Sequence, residues 1–393
     1  MNSAKIKRSV RGLWSDHFPA GMASLLLLIG SATQSSAEND YWKQFSQEPV
    51  LVDQTVNGRT QVLKFTGYSD EMLRAEISMR NPDGSTTTAE IALPVSENMA
   101  RTLSFSRDTL KKANTSIYSG NFNNALNILR PEVYRLIQYH ELPEFFTDLH
   151  ISIRTLLSTL IEAGQYDEAK SILSRISLDK VDVKYSSLAL ELMGLYLDNS
   201  ANAKAAEIAV RLPFSEDHSS NISPAMQAAD TIRSAGLYEP VISLYRAIRP
   251  NVQPGQQKDI DMRLAYSLVL AKQVEEASNI MNTLEEPAPS DRLFSLYKLL
   301  EGSRAYREEN YEKALDILTR GLVRAQTSYS WVPEMLYLIG DCYARAKDSV
   351  AAKNVWQEIT LLYPESNWYD QAVEAIATLS KSENSRPTEQ ESL

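Results

Sequence analysis

Apolar residues recur with the three-to-four-residue spacing of an amphipathic helix from about Ser104 to about Ser380. The pattern falls into seven units. One alanine or valine marks the same position in each: Ala125, Ala169, Ala206, Val241, Ala277, Ala314 and Ala352. Successive members lie 44, 37, 35, 36, 37 and 38 residues apart. The pattern therefore predicts about seven helical hairpins with a nearly constant period.

Two further positions recur at fixed distances from this alanine or valine. Twelve residues earlier the chain carries a residue that is small in six of the seven units: Ala113, Leu157, Gly194, Ala229, Ala265, Gly302 and Gly340. Four residues later it carries an apolar residue: Leu129, Leu173, Val210, Tyr245, Met281, Leu318 and Trp356. Small residues let two helices approach, and the apolar residue fills the groove between them. We assign the packing of the hairpins to Ala125, Ala169, Ala206, Ala277, Gly302, Ala314, Gly340, Ala352 and Trp356.

The last two units carry the clearest family resemblance. One runs from Gly302 through Asn310-Tyr311 to Leu318, and the next runs from Gly340 to Trp356 and ends at Tyr363-Pro364. This arrangement resembles the tetratricopeptide repeat. The resemblance implies a mainly α fold over residues 101–380, an α-α superhelix of stacked hairpins. It also implies a scaffold that binds protein partners.

Residues 38–100 differ from the repeats. Short runs at 61–65, 72–77 and 86–93 alternate or are rich in β-branched residues, and Asn57-Gly58 and Asn81-Pro82-Asp83-Gly84 are turn formers. This order predicts a small β-rich domain of three or four strands. It is similar to SH3-like modules found on exported bacterial proteins.

The two ends of the chain predict an export signal and a tail. Residues 1–37 combine a basic start, an apolar core from Ala20 to Ala32 and small residues before a cleavage site near Ala37. The apolar core is shorter than the roughly 20 residues that span a bilayer, so we expect an exported mature chain without a transmembrane span. The alternatives are an uncleaved anchor and an apolar patch that is not a signal. Residues 381–393 are polar and are predicted to be a disordered tail.

The charge of the chain argues against nucleic-acid binding. The full chain has a net charge of −10. Without residues 1–37, which hold four basic residues and Asp16, 36 basic residues stand against 49 acidic ones, a net charge of −13. Proteins that bind nucleic acids need a basic face.

Candidate chemistry is sparse. The single cysteine, Cys342, is interpreted as a buried apolar residue. His140, His150 and His218 lack the short helical spacing of a metal-binding pair. No phosphate-binding loop or Gly-x-Ser-x-Gly motif occurs. We therefore predict no enzyme activity, no cofactor and no metal site.

An aromatic cluster marks the end of the repeats. Trp331, Trp368 and Tyr369 lie in a loop and in the last helix, where they either cap the stack or contact a partner.

The same end suggests a cellular setting. The step Tyr363-Pro364-Glu-Ser366 and the following Ala372 are similar to the C-terminal repeats of periplasmic Tol-Pal coordinator-type proteins. They also resemble tetratricopeptide lipoproteins of outer-membrane assembly. The resemblance implies an exported, non-enzymatic scaffold in the periplasm or envelope that holds protein partners. The alternative hypothesis is a cell-wall glycan-binding module, in which residues 38–100 bind the glycan and the repeats act as a spacer.

Overall fold

The computed structural model of the chain describes residues 41–80, 83–105 and 107–384. The predicted signal, residues 1–37, and residues 385–393 of the predicted tail lie outside this range. The chain divides after Ile176 into two compact units. The predicted fold class is confirmed, because the chain is mainly helical, its hairpins pack in a repeating manner, and a small antiparallel sheet precedes them.

The first unit begins with helical residues 41–45 (α1) and a five-stranded antiparallel sheet with strand order β4-β3-β2-β1-β5. Its elements are β1 (Val50–Val56), β2 (Arg59–Ser69), β3 (Met72–Arg80), β4 (Thr86–Pro94), the short helix α2 (Glu97–Ala100) and β5 (Leu103–Ser104). Alternate residues of the central strands are buried on one face: Val50, Val52, Leu63, Phe65, Leu73 and Ala75. The period of two therefore gives the sheet one apolar face.

The sheet differs from the sequence prediction at both ends. Strand β1 was not predicted, and β5 extends the sheet past residue 100 to Ser104. Asn57 and Gly58 both have positive φ angles, 51° and 73°, and join β1 tightly to β2. A two-residue strand such as β5 is too short to show a period and forms because β1 offers it an edge. The resemblance to SH3-like modules stays a prediction.

Two helical hairpins complete the first unit. They consist of α3 (Arg107–Tyr118) with α4 (Phe122–Leu136), and α5 (Thr147–Glu162) with α6 (Tyr166–Leu173). The sequence predicts a kink or an extra helix near Pro131 and Pro143. Pro131 lies inside α4, and a 3-10 helix at Ile137–Tyr139 follows it.

The second unit contains five hairpins and a final helix among its described residues. They are α7 (Val183–Asp198) with α8 (Asn202–Ala209), α9 (Ile222–Ser234) with α10 (Tyr238–Ile248), α11 (Pro254–Leu270) with α12 (Val274–Met281), α13 (Phe294–Arg307) with α14 (Tyr311–Leu322), α15 (Val332–Arg345) with α16 (Ser349–Leu362), and α17 (Trp368–Asn384). Helix α17 continues through Lys381, where the tail was predicted to begin.

The packing positions of the sequence pattern lie inside the hairpins. All seven alanine or valine residues of the pattern are buried. A Cβ atom on Gly302 would lie 2.5 Å from Leu318 Cγ, and one on Gly340 would lie 2.4 Å from Trp356 Nε1. The two helices therefore approach closely in the last two hairpins. Hairpin α7–α8 is looser, because a Cβ atom on Gly194 would meet nothing within 4 Å and Val210 is 43% exposed.

One backbone feature is common to all seven hairpins. A residue in the left-handed region, with φ between 57° and 80°, lies two positions before each second helix: Gly120, Gly164, Ser200, Gly236, Lys272, Glu309 and Lys347. The amide of the next residue bonds back to the first helix, as from Asn310 N–H to the Ala305 carbonyl at 3.0 Å. This is the Schellman termination of a helix. It gives the hairpins a uniform turn.

Candidate functional site

The second unit holds a group of buried polar residues on the first helices of its hairpins. Arg233 on α9, Tyr266 on α11 and Glu334 on α15 are each less than 5% exposed. The Tyr266 hydroxyl donates to Glu334 Oε2, and the Arg233 guanidinium lies 4.8 Å from the centroid of the Tyr266 ring. We call these three residues the buried polar cluster. It links the two consecutive hairpins α9–α10 and α11–α12 to hairpin α15–α16, which is more distant in sequence.

The environment of Glu334 favours its protonated form. Burial raises the pKa of Glu334 to about 7, although the Tyr266 hydrogen bond and the charges of Arg233 and Arg307 act in the opposite direction. Burial and the Glu334 carboxylate together raise the pKa of Tyr266 well above 10. Tyr266 is therefore neutral and donates its proton, whereas Glu334 titrates near neutral pH.

A chain of ion pairs leads away from the cluster. Asp230 Oδ1 lies 2.8 Å from Arg233 Nη2 and 3.0 Å from Arg263 Nη1, so two guanidinium groups share the Asp230 carboxylate. Arg263 Nε also lies 2.7 Å from Asp259, which pairs with Arg292. Buried charges require such partners. The ion pairs therefore fix the first helices of two adjacent hairpins, α9 and α11, to each other.

Two cavities adjoin these residues within the second unit. The smaller one, of about 250 Å³, is lined by the buried polar cluster and by polar residues that include Ser330, Asn367 and Gln371; we call it the Glu334 cavity. The larger one, of about 540 Å³, is lined by residues that include Met226, Asp230, Asp259 and Leu293; we call it the Asp230 cavity. Arg233 and Asp230, which pair with each other, line one cavity each.

The three aromatic residues predicted at the end of the repeats lie in different surroundings. Trp331 is buried, and its indole N–H donates to Ser295 Oγ at 3.1 Å, so it offers no surface to a partner. Trp368 is half-buried and lines the Glu334 cavity, with its ring 5.0 Å from that of Tyr337. Tyr369 is half-buried beside Trp368. Of the three, Trp368 lies at the candidate site.

The cysteine and the histidines that the sequence offers for chemistry are held by burial or by backbone contacts. Burial raises the pKa of Cys342 to about 11. His150 Nε2 lies 2.7 Å from the Leu142 carbonyl oxygen, and His140 Nδ1 lies 2.8 Å from the Ile137 carbonyl oxygen. Among the described residues, no three potential metal ligands come together. Over the same residues, no helix has both the length and the apolar character needed to cross a membrane.

The buried polar cluster was not predicted from the sequence. Tyr266 and Glu334 are 68 residues apart, so no local motif contains them both. A signal was nevertheless present, because Glu334 interrupts the apolar run from Val332 to Leu336. A charged residue on the apolar face of a helix requires a buried partner.

The repeated helical hairpins place this chain in the class of helical-hairpin repeat proteins. Within this class, residues 334–366 match the tetratricopeptide repeat family model. The matched segment begins at Glu334 and covers most of hairpin α15–α16. The chain therefore contains a tetratricopeptide repeat, and one member of the buried polar cluster belongs to it.

Other comparisons are more distant. One similar solved structure is a circular tandem repeat protein with novel repeat topology and enhanced subunit contact surfaces. The identity is 13%, the TM-score is 0.17, and the match covers 73% of this chain. The chain spans 66% of that protein, just under two thirds of its length. No curated protein sequence matches the chain.

Proposed function

We propose that this protein is a non-enzymatic, exported scaffold of the cell envelope that binds a protein partner through the hairpins of its second unit. The observation that carries the proposal is the Glu334 cavity, which is lined by first helices of the hairpins and by the first residue of the tetratricopeptide repeat. Tetratricopeptide repeats generally mediate protein–protein interactions. A cavity with several polar groups suits recognition of a partner's side chain.

The arrangement of the two cavities supports recognition of a segment of the partner's chain rather than of one of its side chains alone. The Glu334 cavity and the Asp230 cavity adjoin the same Arg233–Asp230 ion pair. An extended or helical partner segment that crosses this pair would place one side chain in each cavity. Arg233 is buried and Asp230 is half-buried, so the ion pair would give the segment a rigid surface.

Export is supported by the sequence of residues 1–37, with its basic start, apolar core and small residues near Ala37. Intact mass of the protein purified from its native host tests this part. We expect a mature chain that begins near Glu38 and is recovered with the periplasmic or envelope fraction. A full-length mass in the cytoplasmic fraction would contradict export.

Partner binding is tested by crosslinking and affinity purification of two variants that differ in one position of the same loop. Ser330 lines the Glu334 cavity, whereas Ser328 is exposed and does not line it. We expect Ser330→Arg to fill the cavity and remove the recovered partner, and Ser328→Arg to retain it. Equal recovery with both variants, or no partner from the unmodified protein, would contradict the proposal.

A further inference from the structure

We infer that the Glu334 cavity accepts one neutral carboxamide group, the side chain of an asparagine or glutamine in the partner. The inference rests on the proposed function and adds to it the chemistry of the recognised side chain. It is carried by the size of the cavity, by its hydrogen-bonding groups and by the balance of its charges.

The size of the cavity favours a side chain over a whole small molecule. Its volume is about 250 Å³. Clefts that hold complete small ligands are larger, typically about 300–1,000 Å³. The Glu334 cavity therefore fits one polar side chain of a larger ligand.

The hydrogen-bonding groups of the cavity favour a ligand that carries one acceptor and one donor. Arg233 is 3% exposed, and its Nη1 has no hydrogen-bond partner among the described residues. A buried donor without an acceptor is destabilising, so a carbonyl oxygen placed there is favoured. Glu334 accepts one hydrogen bond from Tyr266, and a carboxylate can accept several. A carboxamide supplies both groups, a carbonyl oxygen for Arg233 and an N–H for Glu334.

The charges around the cavity disfavour an ionic ligand. The cavity is lined by one basic side chain, Arg233, and one acidic side chain, Glu334, and Arg233 also lies 2.8 Å from Asp230 on the same helix. Glu334 is faced by the positive charges of Arg233 and Arg307 and by the neutral hydroxyl of Tyr266. An added carboxylate would meet Glu334, and an added ammonium group would meet Arg233. Because each charge already has an opposite neighbour, a neutral polar group has the lowest desolvation cost.

The rim of the cavity adds groups suited to a carboxamide. Asn367 and Gln371 present amides of their own, and Ser330 presents a hydroxyl that accepts from Arg233 at 2.9 Å. Trp368 supplies an aromatic surface for the aliphatic stem of the bound side chain.

Three probes of similar size test the inference: neutral propionamide, negatively charged propionate and positively charged propylammonium. The full chain is labelled with 5-fluorotryptophan and titrated with each probe up to about 50 mM while ¹⁹F NMR is recorded. The resonance of Trp368 is assigned from Trp368→Phe. We expect propionamide to shift the Trp368 resonance in a saturable manner and to leave that of Trp42, which lies in the first unit, unchanged. Preference for either charged probe, or no shift with propionamide, would overturn the inference.

Two substitutions of Glu334 separate hydrogen bonding from folding. Glu334→Gln keeps an acceptor of the same shape and is expected to retain propionamide binding within about threefold. Glu334→Leu removes the acceptor and is expected to weaken binding about tenfold. Unchanged tryptophan resonances outside the cavity show that a variant is folded. Equal binding by both variants would count against Glu334 as the acceptor.

The outcomes distinguish this inference from the proposed function. If a partner is recovered by affinity purification but propionamide does not bind, the carboxamide inference fails and the scaffold function stands. If propionamide binds and no partner is recovered, the cavity chemistry stands and the scaffold function fails.

Discussion

At the scale of single residues, Glu334 is an acidic group that the second unit buries almost completely. It is buried on an apolar helix face, and the fold stabilises it with the Tyr266 hydroxyl and two nearby arginines. Buried ionisable groups with perturbed pKa values are frequent at functional sites. The physical cause here is desolvation, which disfavours the carboxylate and which the surrounding partners only partly offset.

This environment predicts a pH dependence of stability. The pKa of Glu334 is about 7 in the folded protein, against 4.5 for an ordinary glutamate carboxyl group. Because the folded state holds the proton more tightly, the contribution of Glu334 to stability is fully present below pH 4.5. It is lost as the pH rises through about 7, by about 3 kcal/mol in total. Relative to the unmodified protein, Glu334→Gln should therefore gain stability between pH 5 and pH 8.

Urea unfolding of both proteins at pH 5 and pH 8 measures this difference. Glu365→Gln, the same change on an exposed side chain, is the matched control and is expected to change the difference little. A stability gap between Glu334→Gln and the unmodified protein that stays constant with pH would contradict the prediction.

Cys342 gives a second prediction at this scale. Its thiol is buried, and burial raises its pKa to about 11. Because the thiolate is the reactive form, iodoacetamide at pH 8 should modify the native protein at least about tenfold more slowly than the urea-unfolded protein. Mass spectrometry over time gives the two rates directly, since the chain contains one cysteine. Similar rates would show that the thiol is accessible in the native state.

At the scale of elements, the spacing of small and large residues specifies how the helices of a hairpin meet. The close approach at Gly302 and Gly340 follows the sequence pattern, since Leu318 and Trp356 lie where a Cβ atom would be. Gly194 occupies the same position of the pattern but has open space around it. The pattern therefore predicts that a hairpin forms, but it does not predict how closely the two helices of that hairpin approach.

This difference predicts opposite results for one substitution at equivalent positions. Gly340→Ala should destabilise the protein by about 1–3 kcal/mol, because the new methyl group overlaps the Trp356 indole. Gly194→Ala should stabilise it by about 0.5–1 kcal/mol, because alanine favours the helix and meets no neighbour. Thermal or urea unfolding of the two variants measures both effects. The same sign of change at both positions would contradict the packing described for the two hairpins.

The sequence predicts the elements better than the site, for a physical reason. Six of the seven second helices begin three residues before the alanine or valine of the pattern, as Phe122 does before Ala125, because the period of buried residues is set locally. The left-handed turn was missed because four of its seven residues are not glycine, as with Lys272 and Glu309. The buried polar cluster was missed because its members meet only after several hairpins have packed together.

At the scale of the whole molecule, the chain combines a small antiparallel sheet with helical hairpins and a tetratricopeptide repeat at residues 334–366. The hairpins of the second unit enclose a cavity of polar character on their first helices. A repeat scaffold of this kind is suited to protein interactions. We therefore propose that this cavity recognises the partner and that the packed hairpins support it.

Site-specific photocrosslinking tests this central claim most directly. The photoreactive amino acid p-benzoylphenylalanine is introduced at Gln371, which lines the Glu334 cavity, or at Val350, which is 70% exposed on α16 and lines neither cavity. After irradiation of living cells, crosslinked products are identified by mass spectrometry. We predict a discrete crosslinked protein from Gln371 and none, or much less, from Val350. A partner captured from Val350 and not from Gln371 would contradict the assignment of binding to the Glu334 cavity.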